Sequence, residues 1–163
     1  MEIIRAMLPA DWPQVRQIYL EGMSTGYATF ETEAPDWEAW DRNHHSHSRL
    51  VACEGDRVVA WAALSPVSRR ECYAGVAEFS LYVAGSHRSR GVGRRLLEAL
   101  IESSESNGIW SLYASTFPEN TASLRMQMAC GFRVVGRRER IARLNGVWRD
   151  TVNTERRSRI VGQ

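Results

Sequence analysis

The sequence predicts a mixed α/β domain built around one sheet, and two observations predict it. Short apolar runs with the two-residue alternation of strands are interspersed with segments whose apolar residues recur at helical spacing. In addition, the strand-like run Val76 to Val83 leads through a glycine- and arginine-rich turn directly into an amphipathic helix, Val92 to Ser106.

Ile3 to Ala6 reads as a short strand. Pro9 to Met23 reads as a helix: Trp12, Val15, Ile18 and Tyr19 fall at helical spacing, and Asp11 sits in the first turn, where the helix dipole favours an acid. Gly22 and Gly26 then loosen the chain, and Tyr27 to Glu33 follows as an irregular or extended loop. Asp36 to His47 reads as a second, polar helix with Trp37 and Trp40 on one face. Leu50 to Cys53 and Val58 to Leu64, separated by Glu54-Gly55-Asp56, read as a β-hairpin that Pro66 ends.

In the next strand Val76, Glu78, Ser80 and Tyr82 point one way, and Ala77, Phe79, Leu81 and Val83 the other. The helix from Val92 buries Leu96, Leu97, Leu100 and Ile101, and Gly108 is placed to end it. Trp110 to Ser115 reads as a strand, Thr121 to Cys130 as a helix, Phe132 to Gly136 as the opening of a strand and Val147 to Glu155 as the last strand. No repeat, low-complexity tract or linker interrupts this order, so residues 1–163 read as a single domain.

A net charge of +2 argues against general nucleic-acid binding. No apolar run approaches the roughly 20 residues of a membrane span, and Met1-Glu2-Ile3-Ile4-Arg5 lacks the layout of a signal peptide, so a cytoplasmic location is expected. Cys53, Cys72 and Cys130 are odd in number and fit no metal spacing; they read as reduced thiols. Of His44, His45 and His47, only His44 and His47 would share a helix face. No acid or cysteine spacing accompanies them, so no metal is expected. All 21 basic residues are arginine, which leaves no lysine for self-acetylation. The tryptophans are scattered at helix and strand positions, where core packing is their default role.

The strongest local signal is the turn Arg88-Ser89-Arg90-Gly91-Val92-Gly93 between a strand and a helix. The first N–H groups of a helix have no partner and its dipole is positive there. Glycines let that backbone approach a phosphate, so Ser89 to Arg94 can wrap a pyrophosphate, with Arg88, Arg90, Arg94 and Arg95 adding charge. A dinucleotide fingerprint needs a third glycine, and a Walker loop needs a lysine; both are missing. An ordinary glycine turn before a surface helix is the alternative.

Several short segments occur in a fixed order: Ala28-Thr29-Phe30-Glu31, Arg70-Glu71-Cys72-Tyr73, Val76 to Val83, R-x-x-G-x-G with Leu96-Leu97, Pro118 to Ser123, Cys130-Gly131-Phe132 and Gly146-Val147-Trp148-Arg149-Asp150. On these residues the chain resembles the GNAT superfamily of acyl-CoA N-acyltransferases along nearly its whole length, and more closely the phosphinothricin acetyltransferase-like branch. The resemblance implies a twisted mixed sheet in which two central strands, Val76 to Val83 and Trp110 to Ser115, splay apart to admit the pantetheine arm of acetyl-CoA. It implies that the backbone of Leu81, Tyr82 and Val83 bonds the pantetheine and thioester. Arg88, Ser89, Arg90, Gly91, Val92, Gly93 and Arg94 would hold the pyrophosphate. Asn120 would contact the cofactor, with Ser123 beside it, while also capping its helix. A homodimer is implied as well.

Acetyl transfer to an amine needs a base for the ammonium, a donor for the thioester oxygen and a fate for the leaving thiolate. Glu78 is the only acid within its strand, and burial there should raise its pKa toward a useful range. The resemblance places the family's catalytic glutamate at this position; a solvated or ion-paired glutamate is the alternative. The oxyanion donor would be a backbone N–H in Leu81 to Val83. Where relatives carry a histidine or tyrosine for the leaving group, this chain has Gln127, which cannot give up a proton, so no dedicated side-chain acid is expected. Arg70 and Tyr73 match the branch's acceptor segment, and Arg70 could clamp a carboxylate; Thr29 and Phe30 would form another wall. Ala74 departs from the arginine common after that tyrosine, which opens the question of specificity. The implied acceptor is a small amino-acid-like amine of the phosphinothricin, methionine sulfoximine or arsinothricin type, a role tied to antimetabolite resistance. A protein N-terminus or a polyamine is the alternative acceptor, and a non-catalytic coenzyme A sensor the alternative function.

Overall fold

The computed structural model describes residues 1–163. In chain order they form β1 (Ile3–Ala6), α1 (Trp12–Ser24), α2 (Trp37–Asn43), β2 (Leu50–Glu54), β3 (Arg57–Pro66), β4 (Val76–Val83), α3 (Val92–Ser106), β5 (Ser111–Thr116), α4 (Thr121–Ala129), β6 (Arg133–Leu144) and β7 (Val147–Arg157). Single 3-10 turns lie at Pro9–Asp11, Glu71–Tyr73 and Gly85–His87.

Seven strands make one sheet in the order β1-β2-β3-β4-β5-β7-β6. All neighbours are antiparallel except β4 and β5. β4 and β5 pair only at Val76↔Ser111, Ala77↔Leu112 and Glu78↔Tyr113. Beyond Glu78, β4 stays with β3 as far as Val83↔Ala60, while β5 stays with β7 as far as Thr116↔Val152. The expected splay is therefore present. It opens from a fixed vertex: the Gly75 carbonyl accepts from Trp110 N (2.8 Å) and Ser111 N (3.1 Å). Gly75 is required there, because a Cβ on it would sit 2.0 Å from the Trp110 ring.

The sheet is covered on both faces. α3 packs Leu96, Leu97 and Leu100 with Phe79, Leu112 and Phe132 on one face. α1 and α2 pack Val15, Ile18 and Trp40 with Val51 and Trp61 on the other. β3 is buried on both sides, which explains why it reads as a continuous apolar run rather than an alternating one.

Several expected boundaries shift, three of them for visible reasons. α1 begins at Trp12, because Pro9–Asp11 forms a 3-10 turn in which buried Asp11 accepts from Arg5 (2.7 and 2.9 Å) and from Leu8 N (2.7 Å). Trp110 lies just outside β5, pinned to Gly75. α2 ends at Asn43 rather than His47. His44 is extended there, and Arg49 collects the carbonyls of Asp41 (3.0 Å), His44 (3.2 Å) and His45 (2.5 Å). His44 and His47 consequently share no helix face. His44 stacks on Trp40, its Nδ1–H donating to Trp40 O (2.6 Å), while His47 stacks on His45.

Candidate functional site

A cavity of about 790 Å³ occupies the gap between β4 and β5, within the range of small-molecule sites. It is walled by α1, the loop through Thr25 to Glu31, β4 from Glu78 onward, the turn before α3, the end of β5 and the start of α4.

At one end stands the turn into α3. Gly91 caps that helix with φ +79°, a conformation costly for any residue with a Cβ, and Ser89 is also left-handed at φ 62°. The Arg95 amide donates to the Gly91 carbonyl (3.2 Å), and the three helical amides before it, Val92 to Arg94, have no intrahelical acceptor. The Arg88 side chain is tied by Nε to Val83 O (3.2 Å) at the end of β4. Leu81, Tyr82, Val83, Arg88, Ser89, Gly91, Gly93 and Arg94 all line the cavity. Arg90 is exposed and does not line the cavity, and the Val92 side chain is buried in the core, so only its amide can serve a ligand. Behind the turn lies His87, which the sequence did not single out. It is buried, with Nδ1 bonded to Ser86 Oγ (2.7 Å) and Nε2 to Glu54 Oε2 (2.5 Å), and it fastens the turn to the β2–β3 hairpin.

Glu78 sits at the vertex where the strands part, between Ser65 of β3 and Tyr113 of β5. It is half-buried in the cavity wall, and burial pushes its carboxyl above the ordinary carboxylate value. Tyr82, on the same face, packs against Tyr19 and Trp61. Burial raises both phenols, Tyr19 to about 12, and their hydroxyls stay protonated at neutral pH. Glu31 also lines the cavity, near Tyr19 and Tyr82. The cavity wall thus carries both signs of charge, with Arg88 and Arg94 at the phosphate-ready end and Glu78 at the other, and with Glu31 a second acid in the lining.

On the far wall Asn120 caps α4, its Oδ1 accepting from Ser123 N (3.3 Å), which leaves the Nδ2 hydrogens for a ligand. Gln127 is fully engaged. Its Nε2 donates to Thr116 Oγ1 (2.9 Å) and Ser123 Oγ (3.1 Å), and its Oε1 accepts from Thr154 Oγ1 (2.6 Å). It ties α4 to β5 and β7 and has no hydrogen left to offer a thiolate.

Thr29 and Phe30 line the cavity, and Phe30 meets Phe117 edge-on at 4.7 Å. Arg70 and Tyr73 do not line it. Both are exposed, Arg70 capping and Tyr73 ending the 3-10 turn before β4, with the Arg70 guanidinium 5.4 Å from the Tyr73 ring. The sequence marked Tyr19 only as part of the apolar face of the first helix and gave no role to Phe117, Arg149 or Thr151. Arg149 stood within a quoted motif, and Thr151 had no local signal, since only strand register shows which way it faces.

A family model described as the acetyltransferase (GNAT) family matches residues 12–132. Phosphinothricin N-acetyltransferase of Alcaligenes faecalis is 31% identical, with 94% of this chain and 81% of the relative covered. L-Methionine sulfoximine/L-methionine sulfone acetyltransferase of Pseudomonas aeruginosa is 28% identical, with 86% of each covered. Among solved structures, a ribosomal-protein-alanine N-acetyltransferase from Brucella melitensis superposes with a TM-score of 0.89 at 28% identity, covering 96% of this chain and 99% of that one. A phosphinothricin acetyltransferase from Sinorhizobium meliloti, solved in complex with AcCoA, gives 0.86 at 26% identity, with 96% and 88% covered. With the family model spanning most of its length, and a splayed sheet of the same architecture, this chain belongs to the acetyltransferase (GNAT) family.

Proposed function

We propose that the protein transfers the acetyl group of acetyl-CoA to the amine of a small amino-acid-like acceptor, with Glu78 as general base. One observation carries this reading: Glu78 lies half-buried at the vertex of a gap whose other end is a helix N-terminus flanked by arginines. In this reading the amides of Ser89 to Arg94 hold the pyrophosphate, the unpaired edge of Leu81 to Val83 takes the pantetheine, and Asn120 and Ser123 contact it from α4. Glu78, directly or through a water, removes the ammonium proton before attack. A backbone N–H of Leu81 to Val83 meets the thioester oxygen as charge develops, and solvent protonates the thiolate. Thr29 and Phe30 flank the acceptor, while Arg70 and Tyr73 serve only an acceptor that extends beyond the cavity.

The names of the two relatives support an amino-acid-like acceptor such as phosphinothricin or methionine sulfone, and with it a role in resistance to such antimetabolites. Glu31, a second carboxylate lining the same cavity as Glu78, favours a second reading, a polyamine acceptor. The same proposal includes a cytoplasmic setting, supported by the free thiol of exposed Cys72. It also includes a homodimer, supported by exposed Val134, Val135, Ile141, Val147 and Trp148 on β6 and β7.

Thiol release from acetyl-CoA, followed across pH with phosphinothricin, methionine sulfone and spermidine, tests the reading. Wild type should give a low-pH limb above the ordinary carboxylate range, since the base works only when deprotonated and burial raises its pKa. Glu78→Gln should lose that limb and about 10²- to 10⁴-fold in rate. An unchanged profile in the variant would remove Glu78 as the base, and a preference for spermidine would select the second reading.

A further inference from the structure

Strand register places Thr151 on the reacting face of the sheet. Glu78 lies beside Tyr113, and Tyr113 beside Glu155; residues in register on neighbouring strands share a face. β7 pairs with β5 without a register shift from Glu155 to Val152, so Thr151, Asn153 and Glu155 share the face of Glu78. Asn153 Oδ1 accepts from Tyr113 OH (3.4 Å) on that face, while Thr154 turns the other way to Gln127.

Thr151 lines the cavity and is 3% exposed, yet its Oγ1 has no hydrogen-bond partner within the protein. A buried hydroxyl left unpaired is unfavourable, and valine would fill the same volume without that cost. Two residues earlier on the same face is Arg149. Its Nη1 donates to Gly26 O (2.8 Å), its guanidinium lies 4.2 Å from the Phe117 ring, and its Nη2 is 3.5 Å from exposed Glu119. Phe117 in turn holds Phe30. Arg149 therefore fixes the loop that walls the cavity and places a cation two residues along the strand from Thr151. Such a pair favours an electron-rich oxygen over a cation.

We propose that Thr151 is an acceptor-binding residue whose hydroxyl donates a hydrogen bond to a side-chain oxygen of the acceptor, with Arg149 positioning the wall around it. This rests on the acetyl-transfer reading and narrows its substrate class to amines carrying an oxygen remote from the amino group.

The test compares L-methionine sulfone with L-methionine, which differ only in the two oxygens on sulfur. In Thr151→Val, the ratio of kcat/KM for the sulfone to that for methionine should fall about tenfold or more. The KM for acetyl-CoA should stay unchanged, and Thr151→Ser should restore the ratio. The Tm of Thr151→Val should equal or exceed that of wild type; a lower Tm would show that the hydroxyl already serves the fold and would overturn the assignment. A ratio unchanged in the valine variant would overturn it as well. If wild type acetylates spermidine but neither amino acid, this assignment fails while the transferase reading stands. If wild type acetylates nothing offered, both fail.

Discussion

Gln127 stands where a proton donor would be expected and does a different job. Two of its three hydrogen bonds connect α4 to Thr116 and Thr154 in the buried interior, and the third closes on Ser123 within the same helix. Replacing it with leucine leaves Thr116 and Thr154 without their partner. At about 1 kcal/mol for each bond, Gln127→Leu should lose roughly 2–3 kcal/mol of stability in urea unfolding. The pH dependence of the remaining activity should keep its shape, because no proton moves through this side chain. The absence of an ionisable group at this position was legible in the sequence, but the engagement of both amide hydrogens was not. The hydrogens depend on Thr116 of β5 and on Ser123, and the amide oxygen on Thr154, which reaches Gln127 only once β7 has paired with β5. Thr151 was hidden for the same reason, since a single residue of slip would reverse its face.

At the scale of elements, the turn into α3 and the strand before it were readable because their signals are local. Alternation marks β4, helical spacing marks α3, and two glycines separate them. Gly91 carries the conformational demand at φ +79°. Gly91→Ala should cost about 1–2 kcal/mol and raise the KM for acetyl-CoA while leaving the acceptor's KM near its wild-type value. Equal effects on both would show that the turn acts through general stability instead. The end of α2 was misread for the opposite reason. Nothing within Asp36 to His47 stops a helix; the stop comes from Arg49, whose guanidinium gathers carbonyls from the chain before it. The Arg70 segment has a local pattern too, but the geometry leaves it outside the cavity, where only a longer acceptor would meet it.

For the whole molecule, the outer hairpin of β6 and β7 is the part its own core leaves unexplained. It presents Val134, Val135, Ile141, Val147 and Trp148 to the exterior, and β6 is an edge of the sheet. Apolar exposure on an edge favours association with a second copy. Light scattering should report a dimer for wild type, and Trp148→Glu should shift it toward monomer with the circular dichroism of the fold retained. A monomeric wild type at micromolar concentration would remove the dimer from the proposal.

The brief pairing of β4 with β5 bears on how the molecule holds together. Three residue pairs and the Gly75 carbonyl are all that join the β1–β4 half of the sheet to the β5–β7 half through its backbone. The sheet is a pair of tweezers with its pivot at Gly75 and Trp110, its jaws kept apart by the arrangement of their own strands. On the proposed reading acetyl-CoA lying between the jaws would act as a substitute rung, so binding would double as cohesion and adding acetyl-CoA should raise the Tm.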